Sequence, residues 1–211
     1  MVKLYFLGGE NIDKRDSKNI NLNAFEAAGG APSVLVIPWA QSSFGKTFDQ
    51  RRLLFEYFRS LGANSVSFAE YWDEIDEISD KINSSDLLYL PGGLTTILLE
   101  RIRTKGIDLL LKNFCRVIVG RSAGALALCK AGVLTKKRRK RENVTLPGLR
   151  LVDFNLKVHY NPSKDEQLMR LSFEDKIFAI PQKSALVFED GVLSFIGEVY
   201  LFQHGTKTLA S

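Results

Sequence analysis

Short apolar runs alternate with amphipathic stretches through the first half of the chain. Runs that are almost continuously hydrophobic are typical of strands buried on both faces, and five are present: residues 3–7, 33–37, 65–68, 86–90 and 114–119. Hydrophobic side chains at helical spacing predict helices between them, over residues 45–61, 73–82, 95–103 and 107–112. This alternation predicts right-handed βαβ units and a mainly parallel sheet.

The pattern changes in the last third of the chain, where strand-like segments follow one another. Strands are predicted at residues 149–160, 177–180, 185–189 and 192–201, and one helix at residues 164–172. The pair Asp190-Gly191 is typical of a hairpin turn, and Pro147-Gly148 of a turn before the first of these strands. We expect these strands to extend the same sheet and its edge. No linker rich in Pro, Gly or Ser separates the two regions, so a single α/β domain over residues 1–211 is predicted.

Composition narrows the class of protein. A chain of 211 residues with 45% hydrophobic content can bury one substantial core. No apolar run is long enough to span a membrane, and the first ten residues lack the pattern of a signal peptide, so a cytoplasmic location is expected. Cys115, in a predicted buried strand, and Cys129, on a predicted helix, are expected to be reduced core thiols. With no cluster of Cys and His, we expect no metal site.

The net charge of +5 comes from one segment. Six of the 29 basic side chains form an uninterrupted run at residues 136–141, and without that run the charges nearly balance. A chain that binds nucleic acid normally spreads its basic side chains over a face and interleaves aromatic ones, which this run does not do. A solvated loop is therefore favoured, with a selectivity element for an acidic substrate or a nucleic-acid patch as alternatives.

A serine among small residues stands where the fifth predicted strand gives way to a segment rich in Ala and Leu. The motif is Gly120-Arg121-Ser122-Ala123-Gly124. This pattern is typical of a nucleophile elbow, a sharp strand-to-helix turn whose strained serine tolerates only small neighbours. Free amide groups at the start of the helix can stabilise an oxyanion there, so the motif indicates acyl-transfer chemistry.

A catalytic serine needs a base and a second oxyanion donor. The chain has two histidines, and His159 is the preferred base because it lies where a predicted strand runs into a turn. His204 lies near the C-terminus. Paired glycines, Gly92-Gly93, end the fourth predicted strand and let a backbone amide approach a ligand, so Gly93 is the expected second donor beside Ala123.

Three motifs together resemble the serine peptidases of the dipeptidase E and cyanophycinase type. In chain order they are Leu90-Pro91-Gly92-Gly93-Leu94-Thr95, Gly120-Arg121-Ser122-Ala123-Gly124-Ala125 and Val158-His159-Tyr160. The resemblance covers nearly the whole chain. It implies a flavodoxin-like three-layer α/β sandwich with a mainly parallel sheet, related to class I glutamine amidotransferases.

The resemblance also implies an activity. Ser122 would be the nucleophile, His159 the general base, and the amides of Gly93 and Ala123 the oxyanion hole. Substrates would be short peptides, including dipeptides with N-terminal Asp, and no metal or organic cofactor would be required. The expected partner is a small peptide, with no membrane and no nucleic acid, and a homodimer is left open.

Two departures from the family pattern stand out. Leu94 occupies a position where the family commonly has asparagine. The family places the acid of its triad between the serine and the histidine, and this chain has the basic run there. Glu142 is the preferred candidate, Asp153 is the alternative, and absence of the acid is the third reading.

Two other functions stay open on the sequence. An α/β-hydrolase esterase shares the serine motif and would use His204 as its base. A weakly active or inactive relative would bind an acidic ligand or nucleic acid through residues 136–141. Side chains expected to line a pocket for an acidic substrate are Arg121, Lys157, Gln182 and Lys183.

Overall fold

The computed structural model describes residues 2–135 and 144–211, so the basic run at residues 136–141 and Glu142 lie outside the described residues. The strands are, in chain order, β1 (Lys3–Leu7), β2 (Ser33–Val36), β3 (Ser65–Phe68), β4 (Leu87–Leu90), β5 (Val117–Arg121), β6 (Ala131–Leu134), β7 (Val144–Pro147), β8 (Asn155–Val158), β9 (Ile177–Ile180), β10 (Ala185–Glu189), β11 (Val192–Ile196), β12 (Tyr200–Gln203) and β13 (Thr206–Leu209). The α-helices are α1 (Lys18–Ala27), α2 (Phe44–Leu61), α3 (Ile75–Ser84), α4 (Thr95–Lys105), α5 (Asp108–Asn113), α6 (Ala123–Leu128) and α7 (Asp165–Leu171), with one 3₁₀ turn at Pro162–Lys164.

The larger sheet has the strand order β11-β10-β1-β5-β4-β2-β3. Strands β1 to β5 pair in parallel, while β10 pairs antiparallel with β1 and β11 antiparallel with β10. The predicted mainly parallel sheet with helical crossovers is thus confirmed. Its central strands β1, β2, β4 and β5 are largely apolar and buried because both faces of the sheet are covered there.

Alternate side chains of each central strand enter two separate hydrophobic clusters. In β1, Tyr5 and Leu7 pack with α1 and α2, while Leu4 and Phe6 pack on the opposite face. That opposite face is covered by α3, α4, α5 and α6 and by the second sheet. The period of two in side-chain direction therefore converts a continuous apolar run into two cores.

The expectation that all late strands extend the first sheet is wrong. Only β10 and β11 join it, and the others form a second sheet in the order β13-β12-β9-β8-β6-β7. Strand β10 occupies the free edge of β1, which already pairs with β5 on its other side. The apolar side chains of the second sheet instead cover a face of the first, where Phe154 packs edge-on against Phe6 and Phe178.

Several predicted boundaries also differ from the structure. The predicted strand over residues 149–160 is extended only at Asn155–Val158, and the one over residues 192–201 is divided into β11 and β12. Strand β7 includes Pro147, where the sequence predicted a turn. Helix α1 was not predicted because Asn19, Asn21 and Asn23 weaken its helical signal.

The cysteine prediction is half wrong. Cys129 is buried, as expected, and burial raises the pKa of its thiol to about 12. Cys115 is exposed because the strand begins only at Val117, three residues later than the apolar pattern suggested.

The two sheets share a hydrophobic cluster that includes Leu4 and Phe6 of β1 and Leu156 and Val158 of β8. This shared cluster favours the single domain predicted over residues 1–211, which stays a prediction. Among the described residues, no helix combines the length and the apolar character needed to cross a bilayer.

Candidate active site

The predicted nucleophile, base and glycine pair lie close together, where strands of both sheets end. Ser122 directly follows β5, Gly92-Gly93 follow β4, and His159 directly follows β8. Parallel strands bring their carboxyl ends to one edge of a sheet, which is where open α/β sheets place their ligands. The fold thereby brings together segments that are distant in the sequence.

Ser122 occupies a sharp turn between β5 and α6, with φ 51° and ψ −103°. The turn packs so closely that neither flanking glycine could have a side chain. A Cβ on Gly120 would lie 2.7 Å from the Ala125 nitrogen, and one on Gly124 would lie 2.1 Å from the carbonyl oxygen of Leu90. Small residues at these positions are therefore a steric requirement of the turn.

The hydroxyl of Ser122 contacts the imidazole of His159. Ser122 Oγ lies 2.7 Å from His159 Nε2, a hydrogen-bond distance. His159 itself has a positive φ of 50°, and its backbone nitrogen donates to the carbonyl oxygen of Gly8 at 2.9 Å. The turn after β1 thus holds the histidine that faces the serine.

The other ring nitrogen of His159 faces an amide rather than an acid. Gln182 Nε2 lies 3.5 Å from His159 Nδ1. Gly9 is packed against the ring, since a Cβ there would lie 2.5 Å from both Cε1 and Nδ1. Among the described residues, no carboxylate forms a hydrogen bond or ion pair with His159.

The surroundings of His159 favour its neutral form. Its pKa is lowered from the ordinary value, first by burial and then by the positive charges of Lys157 and Arg121. A neutral imidazole with Nε2 unprotonated can accept the proton of the Ser122 hydroxyl. The ring is therefore poised as a base at neutral pH.

Backbone amides are available beside the serine. Within the part of the chain that the structure describes, the amides of Gly93 and Ala123 donate to no protein acceptor. Gly93 packs closely against Ala40, in the connection between β2 and α2, because a Cβ on Gly93 would lie 2.3 Å from the carbonyl oxygen of Ala40. Gly92 is next to the serine, since its own Cβ would lie 3.4 Å from Ser122 Cβ.

A cleft of about 390 Å³ adjoins this site. Its lining consists of Glu10, Asn11, Ile12, Asp13, Gln50, Leu53, Arg121 and Gln182. Arg121 is only 8% exposed, its Nε has no hydrogen-bond partner in the described structure, and its Nη1 donates weakly to the Glu10 carbonyl at 3.4 Å. Arg121 is therefore a positively charged residue in the lining of the cleft, with one donor that no acceptor in the described structure uses.

The carboxylate of Glu10 is held at the side of this cleft. Its Oε1 accepts hydrogen bonds from the Tyr57 hydroxyl at 2.7 Å and from Asn21 Nδ2 at 3.0 Å. Burial raises the pKa of Glu10, although these hydrogen bonds and the charge of Arg121 oppose the shift. Arg121 therefore shares the cleft with an acid that is already bonded to neutral donors.

The other predicted lining residues lie at different depths. Lys157 is half-buried on β8, two residues before His159, and burial followed by the charge of Lys164 lowers its pKa to about 8. Gln182 is exposed and contacts His159. Lys183 is exposed, with its Nζ 3.9 Å from Asp16 Oδ2.

Two further candidates lie away from the serine. Asp153 precedes β8, whereas His159 follows it, so the four-residue strand, about 13 Å long, lies between them. The side chain of Asp153 is 82% exposed and pairs with Arg150 at 3.2 Å. His204 lies in the turn between β12 and β13 and contacts Gln203.

The glycine pair after β1 contributes to the site although it was not among the residues predicted from the sequence. A Cβ on Gly8 would lie 1.9 Å from the carbonyl oxygen of Pro181, and Gly9 packs on His159 as described above. The signal was present, because Gly8-Gly9 follow a strand just as Gly92-Gly93 do. Within residues 2–135 and 144–211, no three His, Cys, Asp or Glu side chains are grouped closely enough to hold a metal ion.

Comparison with known proteins gives a consistent match. The family model of peptidase family S51 matches residues 4–196. An uncharacterized peptidase of Listeria monocytogenes is 33% identical over an alignment of 98 residues. The alignment covers 42% of this chain and 47% of the relative. The chain thus spans about half the length of the curated relative it matches.

Two crystal structures share the fold. A peptidase from an acI-B1 Actinobacterium has a TM-score of 0.74 at 17% identity, over 100% of this chain and 94% of its own. A protein described as a peptidase E from Listeria monocytogenes EGD-e has a TM-score of 0.66 at 19% identity, over 93% of this chain and 98% of its own. At these identities the likeness concerns the fold.

Proposed function

Because the chain belongs to peptidase family S51, we propose that it is a serine peptidase that hydrolyses short peptides, with Ser122 as the nucleophile and His159 as the general base. The observation that supports this most directly is the 2.7 Å contact between Ser122 Oγ and His159 Nε2. The strained turn at Ser122 fits the nucleophile elbow inferred from the sequence.

The proposed reaction has two steps. His159 Nε2 takes the proton of Ser122 as Oγ attacks the peptide carbonyl carbon, and it then gives that proton to the leaving amine. Water, deprotonated by the same nitrogen, hydrolyses the acyl-enzyme and releases the acid product and free Ser122. The amides of Gly93 and Ala123 would stabilise the oxyanion of each tetrahedral intermediate.

The orienting acid is the part of the triad with the least support. Glu142 was the preferred candidate and stays a proposal, since it lies outside the described residues. The placement of Asp153 before β8 argues against it. The Ser122–His159 pair is therefore proposed without an assigned carboxylate.

For the substrate, we propose a peptide with an acidic residue on the acyl side, including N-terminal Asp. Arg121, directly before Ser122, lines the cleft, and its largely buried guanidinium has an Nε with no hydrogen-bond partner in the described structure. Lys157 has a depressed pKa because its charge is half-buried beside that of Lys164. A substrate carboxylate could pair with these two cations, because the carboxylate of Glu10 in the same cleft already accepts hydrogen bonds from Tyr57 and Asn21.

The nucleophile is tested with a dipeptide library and a fluorophosphonate probe. Wild type should hydrolyse some library members and become labelled at Ser122, and Ser122→Ala should do neither. Equal hydrolysis by both proteins would contradict the peptidase proposal. Hydrolysis by neither protein would favour the alternative of an inactive relative that binds an acidic ligand.

The proposed preference for an acidic substrate is tested with a different variant. Arg121→Gln should lower kcat/KM for dipeptides with N-terminal Asp by about 10- to 100-fold, as expected for loss of a charged hydrogen bond, and should affect neutral dipeptides less. Lys3→Gln is the matched control, because that lysine pairs with Glu189 at the end of β1 remote from the cleft. An equal loss on acidic and neutral dipeptides would contradict the assignment of Arg121.

The esterase alternative has little support in the geometry. It needs His204 as the base, and His204 lies in the β12–β13 turn while His159 contacts the serine. The cytoplasmic location, the homodimer and the absence of nucleic-acid binding stay predictions from the sequence.

A further inference from the structure

The hydrogen bond at Ser122 restricts the protonation of the His159 ring. If Nε2 is to accept the serine proton, the proton of the neutral imidazole must be on Nδ1. Nδ1–H then needs an acceptor, and one that also stabilises the positive ring formed during catalysis. In the described structure the group beside Nδ1 is the side-chain amide of Gln182, at 3.5 Å.

Backbone hydrogen bonds connect the segment of His159 and the segment of Gln182 to the turn after β1. The Gly8 carbonyl accepts from the His159 nitrogen at 2.9 Å, and the Gly9 carbonyl accepts from the Lys183 nitrogen at 3.0 Å. The Gly8 nitrogen in turn donates to the Ser184 carbonyl at 3.0 Å. The segments containing His159 and Gln182 are thus tied to the same two glycines.

Gly9 also lies in contact with the side chains of both His159 and Gln182. A Cβ on Gly9 would lie 2.5 Å from His159 Nδ1 and 3.2 Å from Gln182 Cγ, so both side chains pack on its backbone. The stem of Gln182 is therefore located by packing although its end is exposed. Rotation of the amide by half a turn exchanges Nε2 for Oε1 at the position facing Nδ1.

The charges around the ring are consistent with an uncharged partner. Among the described residues, the charged groups that act on His159 are the cations Lys157 and Arg121, both of which disfavour protonation of the ring. A carboxylate in contact with Nδ1 would have the opposite effect. An amide oxygen accepts the same hydrogen bond without a formal charge.

We propose that Gln182 is a positioning residue for His159, with its Oε1 accepting the hydrogen bond from Nδ1–H in place of the carboxylate of a Ser-His-acid triad. The proposal rests on the proposed peptidase function for its catalytic consequence. The tautomer of His159 that it predicts can be measured whether or not the protein is active.

The first test is nuclear magnetic resonance of the imidazole nitrogens in ¹⁵N-histidine-labelled protein. The chain has two histidines, so His159 is assigned by comparison with His204→Ala, and His204 is an internal control. Above its pKa, wild-type His159 should have its proton on Nδ1. Gln182→Ala should give a mixture of tautomers, and Gln182→Glu should raise the pKa of His159.

The matched control is Gln50→Ala. Gln50 lines the same cleft, but its amide pairs with Gln41 at 3.2 Å. This variant should leave the tautomer and the pKa of His159 unchanged. Identical tautomer populations and pKa in wild type, Gln182→Ala and Gln182→Glu would overturn the proposal. A tautomer change in Glu142→Gln without one in Gln182→Ala would assign the role to Glu142.

The second test is kinetic. Gln182→Ala should lower kcat by about 10- to 100-fold with little change in KM, because the lost hydrogen bond stabilises a charged ring. Gln182→Glu should restore kcat and move the rising limb of the pH profile to higher pH. A loss of kcat that Gln182→Glu fails to restore would contradict a positioning role. If wild type hydrolyses no peptide, the peptidase proposal fails while the resonance test still decides the role of Gln182.

Discussion

Gly9 and His159 are in such close contact that residue 9 has no room for a side chain. A Cβ at that position would overlap the imidazole ring, at 2.5 Å from two of its atoms. The turn after β1 therefore determines where the imidazole lies relative to Ser122.

Gly9→Ala should lower kcat/KM by at least about 10-fold, because the methyl group displaces the ring from Ser122 and a shift of 1 Å can cost about 100-fold. The measurement is steady-state hydrolysis with a thermal melt on the same sample. Gly29→Ala is the control, since φ is 95° there and no atom lies near the added Cβ. It should lower stability and leave activity intact; full activity in Gly9→Ala would contradict the contact.

The two histidines should behave differently on substitution. His159→Ala should lower the rate of peptide hydrolysis by roughly 10⁴-fold or more, as loss of a catalytic base does, and should suppress labelling by a fluorophosphonate. His204→Ala should retain both, because His204 lies in the β12–β13 turn. Loss of labelling in His204→Ala alone would instead support the esterase alternative.

Removal of the positive charge of Lys157, next to His159, should change the pH dependence of kcat/KM. Lys157 lowers the pKa of His159, so Lys157→Gln should raise that pKa. With His159 as the proposed base, activity requires the neutral ring, and the rising limb of kcat/KM against pH should therefore move to higher pH. Lys3→Gln, at the opposite end of β1 and paired with Glu189, is the control and should not move it. A limb that stays in place or moves to lower pH would contradict the assigned effect of Lys157.

Gly124→Ala should destabilise the fold, although Gly→Ala inside a helix usually stabilises by up to about 1 kcal/mol. The added Cβ would lie 2.1 Å from the carbonyl oxygen of Leu90 on β4. Overpacking of this kind typically costs about 1–3 kcal/mol, which chemical denaturation would measure. An increase in the free energy of unfolding would show that α6 can move away from β4.

The sequence by itself determined the elements with strong local patterns. The apolar runs predicted the central parallel strands because both faces of the sheet are buried, and β1, β3, β9 and β10 were predicted to the residue. The three motifs at residues 90–95, 120–125 and 158–160, taken in order, also pointed to the family. Each can be found in the sequence because its turn requires particular local residues. Ser122 was recognised because its glycine neighbours are dictated by sterics within a few residues.

The tertiary structure alone decided which distant segments meet. Nothing local to residues 149–211 indicates that most of its strands form a second sheet, since pairing depends on which edges of the first sheet are free. The contact between Gly9 and His159, and the amide of Gln182 beside Nδ1, join residues far apart in the chain. Sequence patterns record the local requirements of a backbone, whereas the partners of His159 depend on how two sheets pack around Gly8 and Gly9.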